Sequence, residues 1–209
     1  MNNNSVAFSA RQKFYLPFKR FFDIFCSLLA IIVFSLLFLI IGILVKTTSK
    51  GPVFFKQKRI GKNKKVFNML KFRTMKNDAP HDVATHLLDN PESHITKIGK
   101  FLRKTSLDEI PQAFNILVGH MSIVGPRPAL WNQDDLISER DKYNANQIRP
   151  GLSGWAQCNG RDTISIEEKA RLDVIYLQKF NIWFDIKIIF MTIFQAFRGK
   201  DEVEGSTKK

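Results

Sequence analysis

The longest apolar stretch of the chain runs from Phe21 to Val45 and is interrupted mainly by Asp23, Ser27, Ser35 and Gly42. At about 1.5 Å per residue, a helix of this length can cross the hydrocarbon core of a bilayer. It is too long for the apolar part of a secretory signal, and no small-x-small cleavage site follows it. The pattern predicts a membrane-inserted helix over residues 21–45 that is retained in the mature protein. A buried core helix is the alternative.

Basic residues flank this stretch on both sides, and the downstream flank is the richer one. Positive charge marks the cytoplasmic side, so the bulk of the chain is predicted to face the cytoplasm. The basic upstream flank fits a helix that enters one leaflet and turns back, and it also fits a spanning helix with a translocated N-terminal arm. The flanking residues are Arg11, Lys13, Lys19 and Arg20 before the stretch, and Lys46, Lys50, Lys56, Lys58, Arg59, Lys62, Lys64 and Lys65 after it.

Beyond the apolar stretch, residues 53–58 and 65–72 are predicted to be two short strands that residues 61–64 join as a hairpin. Residues 132–147 are polar with mixed charge and are predicted to form a solvated helix. Residues 167–177 are predicted to be helical. From residue 180 to residue 197, apolar positions recur at helical spacing. This last pattern is typical of an amphipathic helix on a membrane surface, and a core-packed helix is the alternative.

Two adjacent carboxylates, Asp108 and Glu109, lie at a predicted helix start. Ser106 followed three residues later by Glu109 fits a capping box, and Pro111 is tolerated only in the first turn. Apolar residues recur after it at helical spacing. A helix N-terminus favours negative charge, so both carboxylates are expected to be ionised and able to act as nucleophile or metal ligand. Two solvated acids that merely cap a helix are the alternative.

Net charge narrows the class of partner. The chain has 32 Lys and Arg against 19 Asp and Glu, a formal net charge of +13. This excess favours an anionic partner: nucleic acid, a membrane surface or a phosphorylated substrate. No helix-turn-helix, zinc-finger or RNP pattern is present, so no nucleic-acid partner is expected. The two cysteines, Cys26 and Cys158, form no disulfide framework.

Glycine- and proline-rich segments carry further candidate residues. Pro126 and Pro128 stiffen the backbone on both sides of Arg127, whose planar guanidinium suits phosphate oxygens. A plain rigid turn with a solvated Arg127 is the alternative. The loop 149–161 contains Arg149, Arg161 and three glycines, and backbone N–H groups in such loops can approach phosphate closely. A basic cluster with Lys71 and Arg73 follows the second predicted strand, and a face on anionic lipid headgroups is the alternative for it.

These segments together resemble the bacterial sugar transferase family, the small monotopic phosphoglycosyl transferases, and in particular its capsule-polysaccharide members. The resemblance covers residues 18 to about 199. It rests on four motifs: Lys71-Phe72-Arg73-Thr74-Met75, Ser106-Leu107-Asp108-Glu109-Ile110-Pro111-Gln112, Gly125-Pro126-Arg127-Pro128, and Arg149-Pro150-Gly151 through Asn159-Gly160-Arg161.

The resemblance implies an enzyme that moves a phospho-sugar from a UDP-sugar to undecaprenyl phosphate and releases UMP, using Mg²⁺ and an Asp-Glu dyad. This would be the first membrane step of capsule, exopolysaccharide or O-antigen assembly at the bacterial inner membrane. Carried over, Asp108 would be the nucleophile and a metal ligand, with Glu109 its partner. The phosphate or nucleotide would contact Arg127, Arg103, Arg161, Arg149, Lys71 and Arg73.

The same resemblance implies an α+β, membrane-associated fold, with a re-entrant N-terminal helix, a small β-hairpin and a mostly helical cytosolic catalytic domain bearing interfacial amphipathic helices. The expected segments are a basic arm (1–20), the inserted helix (21–45), the catalytic domain (46–198) and a disordered tail (199–209). One departure concerns the helix break, because the family's Ser-Pro pair is Ser35-Leu36 here. The sugar and the oligomeric state, including a homodimer, stay open. A non-catalytic membrane scaffold of the same family is the alternative function.

Overall fold

A computed structural model describes residues 7–77, 79, 91–160 and 164–197. The chain begins with two helices, α1 (Ala10–Val33) and α2 (Ser35–Thr48), whose axes bend by 63° at Phe34. A capping box of Ser9 and Gln12 starts α1, so this helix begins well before the apolar stretch. The hydrophobic pattern alone predicts one helix over 21–45, whereas the structure has a bent pair. The break forms without proline, and Ser35 is the first residue of α2.

Among the described residues, no single helix is long and apolar enough to cross a membrane by itself. The bent pair α1–α2 meets those requirements of length and composition when its two helices are taken together.

Helix α1 is amphipathic with its polar side turned inward. Its buried residues are Gln12, Lys19, Asp23 and Ser27, which share one helical face. Most of its large apolar residues are exposed instead: Phe14, Phe18, Phe21, Phe22, Ile24, Phe25, Leu28, Leu29, Ile32 and Val33. Helix α2 likewise exposes Leu36, Leu39, Ile40, Ile43 and Leu44. Such a contiguous apolar surface exceeds the scattered exposure that is normal for a soluble monomer.

The predicted hairpin is confirmed. Strands β1 (Phe54–Ile60) and β2 (Val66–Phe72) pair antiparallel, from Phe54 opposite Phe72 to Ile60 opposite Val66. A short 3-10 turn, Lys62–Lys64, connects them, and Asn63 and Lys64 adopt positive φ in it. Residue Lys71 is near the end of β2, opposite Phe55.

Short helices follow the hairpin: α3 (Pro91–His94), α4 (Lys97–Thr105) and α5 (Gln112–Leu117), with a 3-10 turn, Leu107–Glu109, between the last two. A small parallel pair then forms from β3 (Ser122–Val124) and β4 (Gly151–Ser153). Its strands approach so closely that a Cβ on Gly151 would lie 2.1 Å from the backbone nitrogen of Gly125. Only glycine fits there.

The remaining helices are α6 (Asp134–Asp141), α7 (Trp155–Cys158), α8 (Ile166–Lys179) and α9 (Ile182–Phe197). The prediction of a solvated helix over 132–147 is wrong in part, because Leu136 and Arg140 are buried and a separate 3-10 turn covers Ala145–Gln147. Helix α9 buries Asp185 and Ile188 against the core while Trp183, Phe190 and Phe194 are exposed. Both cysteines are free thiols. The predicted disordered tail (199–209) lies outside the described residues.

Two apolar clusters fix the arrangement of the elements around the 3-10 turn Leu107–Glu109. One joins α8, α9 and β3 through Tyr176, Leu177, Phe180, Ile188 and Val124. The other joins α2 to the hairpin and to α4 through Ile41, Val45, Phe72 and Leu102, with Leu107 of the turn packed against it. The turn that carries Asp108 and Glu109 is therefore packed against the apolar cluster that α2 shares with β2 and α4.

Candidate active site

The carboxylates Asp108 and Glu109 lie in the 3-10 turn between α4 and α5, not at a capping box. Helix α4 ends at Thr105, and Ser106 adopts the left-handed conformation (φ 58°) as its C-cap. An N-cap serine needs an extended backbone, so the side chain of Ser106 makes no capping hydrogen bond. The capping-box prediction is wrong for this reason. Pro111 does precede the first residue of α5, as its missing N–H requires.

Glu109 lies between two cations. The Lys71 ammonium donates to Glu109 Oε1 at 2.9 Å, and the same oxygen is 3.6 Å from an Arg127 guanidinium nitrogen. Asp108 is buried, and its Oδ2 is 4.0 Å from Lys71 Nζ. The two acids thus share one lysine, and the Arg127 side chain is 36% exposed. An anionic group that approaches this turn would meet fixed positive charge beside a carboxylate.

Hydrogen bonds to main-chain carbonyls hold the backbone of Arg127 on both sides. Four consecutive carbonyls accept: that of Pro126 from Gly151 N–H, that of Arg127 from Arg140, that of Pro128 from Arg59, and that of Ala129 from Ile60 N–H. The distances are 2.9 to 3.0 Å. The predicted stiffness of the Gly-Pro-Arg-Pro segment is therefore reinforced by tertiary contacts.

Arg140 is itself held by a buried ion pair. Its guanidinium donates twice to Asp173 Oδ2, at 2.6 and 2.9 Å, and both side chains are almost completely buried. Burial raises the pKa of the Asp173 carboxyl, and the Arg140 charge and hydrogen bonds oppose that rise. Arg140 thus carries its charge into the interior and uses a third hydrogen bond to fix Arg127.

Of the other residues predicted to bind phosphate, Arg103 contacts a threonine side chain, whereas Arg73 and Arg149 donate to main-chain carbonyls. Arg103 donates to Thr74 Oγ1 at 2.9 Å from the last turn of α4, one turn before the acidic pair. Arg73 instead caps the end of α2, donating to the carbonyls of Val45 and Ser49, and burial lowers its pKa. Arg149 donates to the Gly119 carbonyl after α5. Arg161 lies outside the described residues.

Sequence reasoning missed Asn115, which fixes the acidic turn against the hairpin. Its side-chain oxygen accepts from Leu70 N–H and its amide donates to the Asn68 carbonyl, both at 2.8 Å. An amide that both donates and accepts can bind a strand edge in place of another strand. Asn115 therefore sets the distance between α5 and the part of β2 that carries Lys71. A polar residue within the apolar pattern of the helix was the signal that could have identified it.

The acidic pair offers the hard oxygen ligands that Mg²⁺ prefers. In the part of the chain that the structure describes, no group of three or more His, Cys, Asp or Glu side chains could form a complete metal site. Magnesium commonly takes one or two carboxylates and completes its coordination with water and substrate phosphates. Asp108 and Glu109 fit that pattern, in which the substrate supplies the remaining oxygens.

Comparisons with known proteins identify the family of the chain. The sequence profile of the family described as "Bacterial sugar transferase" matches residues 14–199. A Klebsiella pneumoniae protein named "UDP-glucose:undecaprenyl-phosphate glucose-1-phosphate transferase" is 41% identical over 198 residues, covering 88% of this chain and 41% of that protein. The "Uncharacterized sugar transferase EpsL" of Bacillus subtilis is 39% identical over 175 residues, covering 84% of this chain and 85% of that protein.

A third relative is named for a different sugar. The "UDP-N-acetylgalactosamine-undecaprenyl-phosphate N-acetylgalactosaminephosphotransferase" of Aeromonas hydrophila is 35% identical over 201 residues, covering 92% of this chain and 47% of that protein. The chain therefore spans less than half the length of the Klebsiella and Aeromonas proteins, and most of the Bacillus one. Because the family profile covers most of the chain, the protein belongs to the bacterial sugar transferase family.

Proposed function

We propose that the protein transfers a sugar-1-phosphate from a UDP-sugar to undecaprenyl phosphate and releases UMP. The observation that carries the proposal is the position of Asp108 and Glu109: Lys71 and Arg127 flank them, and their turn packs against an apolar cluster to which the second helix of the bent pair contributes. A soluble diphosphate and a lipid phosphate could both reach such a site. The names of the relatives support the same donor and acceptor classes.

The reaction would proceed in two displacements. A carboxylate oxygen of Asp108 attacks the phosphorus that bears the sugar, the bond to the uridine-bearing phosphate breaks, and UMP leaves with the electron pair. A phosphate oxygen of undecaprenyl phosphate then attacks the same phosphorus, and the Asp108 carboxylate leaves. An acyl-phosphate intermediate divides one difficult transfer into two easier ones. Glu109, with Lys71 and Arg127, would keep the charge around the reacting phosphate balanced.

Magnesium is proposed as the cofactor, with Asp108 and Glu109 as the residues that would hold it. When bound, it would neutralise negative charge on the diphosphate. The protein's own cations act on the same charge. Arg127 can offer two parallel N–H groups to phosphate oxygens. The hydrogen bonds from Arg140 to the Arg127 carbonyl and from Arg59 to the Pro128 carbonyl fix the backbone from which it reaches.

The inverted amphipathic pattern of α1 supports a membrane location. Lys19 donates to Asp185 at 2.5 Å, and Asp23 accepts from Ser122 Oγ and Ile123 N–H at 3.1 and 2.9 Å. The polar side of α1 is thus satisfied by protein, while the described residues leave its large apolar side chains from Phe21 to Val33 mostly exposed, as expected for a helix in lipid. We place the bent pair in the cytoplasmic leaflet of the bacterial inner membrane, with the catalytic residues facing the cytoplasm.

The Asp108→Asn variant tests the nucleophile. We expect it to lose UMP release by at least about a thousandfold, since an amide cannot form the acyl-phosphate. It should keep its partition into membranes. The assay uses purified full chain, Mg²⁺, undecaprenyl phosphate and a panel of UDP-sugars, which also identifies the donor. Asp134→Asn, an exposed aspartate on α6, is the matched control and should behave as wild type.

Trapping completes the test. Donor without acceptor should leave a phospho-sugar adduct on Asp108, visible by mass spectrometry of the digested protein and missing from Asp108→Asn. Brisk turnover in Asp108→Asn would contradict the assignment. Wild-type protein that binds membranes and releases no UMP with any UDP-sugar would instead favour the non-catalytic scaffold. An active enzyme would be assigned to capsule, exopolysaccharide or O-antigen assembly according to its donor.

A further inference from the structure

A second cationic site lies away from the acidic pair, where the N-terminal ends of α1 and α9 meet. An open cavity of about 530 Å³ lies there. Among the residues that the structure describes, its lining includes three cations, Arg11, Lys179 and Lys187, and no acidic residue. No described carboxylate forms an ion pair with any of the three. The buried Asp185 nearby is paired with Lys19. The cavity therefore has an excess of positive charge.

Aromatic side chains form the rest of the cavity. Phe180 is buried at its base, Phe184 forms part of its wall, and Trp183 is 77% exposed at its edge. Lys187 Nζ is 5.3 Å from the centre of the Trp155 ring. The Asn181 side chain accepts from the N–H groups of Trp183 and Phe184, so the end of α9 has its own cap. The positive charge of this cavity thus comes from side chains.

Exposed apolar surface adjoins the cavity on both helices. Along α1, Phe14 and Phe18 follow Arg11 within two turns, and along α9, Ile182 adjoins Trp183. A ligand complementary to both features has an anionic head and apolar chains. Tryptophan at such a boundary is characteristic of the membrane interface, where its ring meets the headgroups.

We propose that this cavity is a headgroup site for an anionic phospholipid, with the phosphate among Arg11, Lys179 and Lys187 and the acyl chains along the apolar sides of α1 and α9. The proposal rests on the membrane location given above. The acceptor lipid of the reaction is a different ligand, since its phosphate must reach Asp108, and the cavity lining contains neither that residue nor Lys71, Glu109 or Arg127. The site would fix the height and tilt of α9 at the membrane surface.

Native mass spectrometry of the full chain tests the proposal. The protein is released from micelles that contain equal amounts of phosphatidylglycerol and phosphatidylcholine, and the ratio of the two bound lipids is measured. We expect phosphatidylglycerol to be preferred about fivefold or more in the wild type, because basic residues at the surface attract anionic headgroups. The triple variant Arg11→Gln, Lys179→Gln, Lys187→Gln should bring the ratio to about one.

Two further variants separate site from net charge. Lys62→Gln, Lys65→Gln and Lys97→Gln together remove three charges from exposed positions on other elements and should keep the preference. Arg11→Lys, Lys179→Arg and Lys187→Arg together should also keep it. An unchanged lipid ratio in the variant that replaces Arg11, Lys179 and Lys187 by glutamine would overturn the proposal. An equal loss of preference in the variant that replaces Lys62, Lys65 and Lys97 would also overturn it.

Competition identifies the occupant. Inorganic phosphate or UDP added at millimolar concentration should leave the bound phosphatidylglycerol in place. If either displaces it fully, the cavity takes a soluble phosphate and the lipid assignment is wrong. None of these measurements requires a nucleotide sugar or turnover. A protein without UMP release would therefore contradict the proposed function and leave this result standing, and the reverse also holds.

Discussion

At the level of single residues, the site depends on a few groups that position others. Lys71 and Arg127 contact Glu109 directly, whereas Asn115 fixes the strand that carries Lys71, and Arg140 fixes the backbone of Arg127. The buried ion pair of Arg140 and Asp173 is weak support for overall stability, because burying two charges costs about as much as their attraction returns. Its main effect would be to hold the Arg127 carbonyl.

Removing the ion pair in two steps separates these roles. We expect Arg140→Leu to destabilise the fold by about 3–5 kcal/mol, because Asp173 is left buried without its cation. The double variant Arg140→Leu, Asp173→Leu should recover most of that stability and still lack the donor to the Arg127 carbonyl. We therefore expect the double variant to keep a raised KM for the UDP-sugar, measured well below its unfolding temperature.

The exposed pair of Glu168 and Arg171 on α8 provides the control. Its double leucine variant should change stability by less than about 1 kcal/mol, as is usual for exposed ion pairs. A double variant of the buried pair with wild-type KM and kcat would show that Arg140 does not position Arg127.

At the level of elements, the sequence predicts what depends on local pattern. The hairpin follows from alternation and a Gly-Lys-Asn-Lys turn, and α8 and α9 follow from helical spacing. The hydrophobic pattern alone does not show the break at Phe34, although the family resemblance places a break beside it, at Ser35-Leu36. The packing of Ile41 and Val45 of α2 against Phe72 and Leu102 is long-range and could not be read from that pattern. The capping-box motif also misassigned Ser106 as an N-cap, because the motif does not show that this residue adopts the left-handed conformation that ends α4.

Candidate contacts show the same division between local and long-range causes. The acidic pair and Arg127 were identified from their motifs, and the structure does bring them together. Arg73 has the same chemistry as Arg127, and only the fold shows that it caps α2. Arg140 has the appearance of a solvated charge until Asp173, distant in sequence, is brought beside it. Composition alone cannot distinguish a cation that contacts substrate from one that holds a helix end.

The break in the helix pair gives an element-level prediction. Leu36 is in the first turn of α2, where proline removes no intrahelical hydrogen bond, whereas Leu39 is one turn further. Both are exposed leucines, at 67% and 60%. Leu36→Pro should therefore shift the unfolding temperature by no more than a few degrees, while Leu39→Pro should cost about 3 kcal/mol or more. Equal losses in thermal unfolding would show that α2 continues from α1 without a break.

At the level of the whole molecule, the lengths of the helices limit how deep the proposed insertion into the membrane could be. Beyond Arg20, residues 21–33 of α1 rise about 20 Å, and residues 35–45 of α2 rise about 16 Å. Each is shorter than the hydrocarbon core, which is about 30 Å thick. Polar contacts tie the start of α1 to the same body that packs on α2: Gln12 binds the Leu177 carbonyl, and Lys19 binds Asp185. A translocated N-terminal arm would break these contacts.

We therefore expect both ends of the bent pair to face the cytoplasm. In a background of Cys26→Ser and Cys158→Ser, single cysteines are introduced as Ala10→Cys and Lys50→Cys, both at exposed positions. A membrane-impermeant maleimide should label both in inside-out vesicles and neither in right-side-out vesicles. The variant Phe34→Cys, at the bend, should resist the reagent from either side because it lies within the hydrocarbon. Labelling of Ala10→Cys from the periplasmic side alone would establish a spanning path. The Gln12 and Lys19 contacts could then not exist in the membrane-bound protein, and the position of the acidic pair beside α2 would need another explanation.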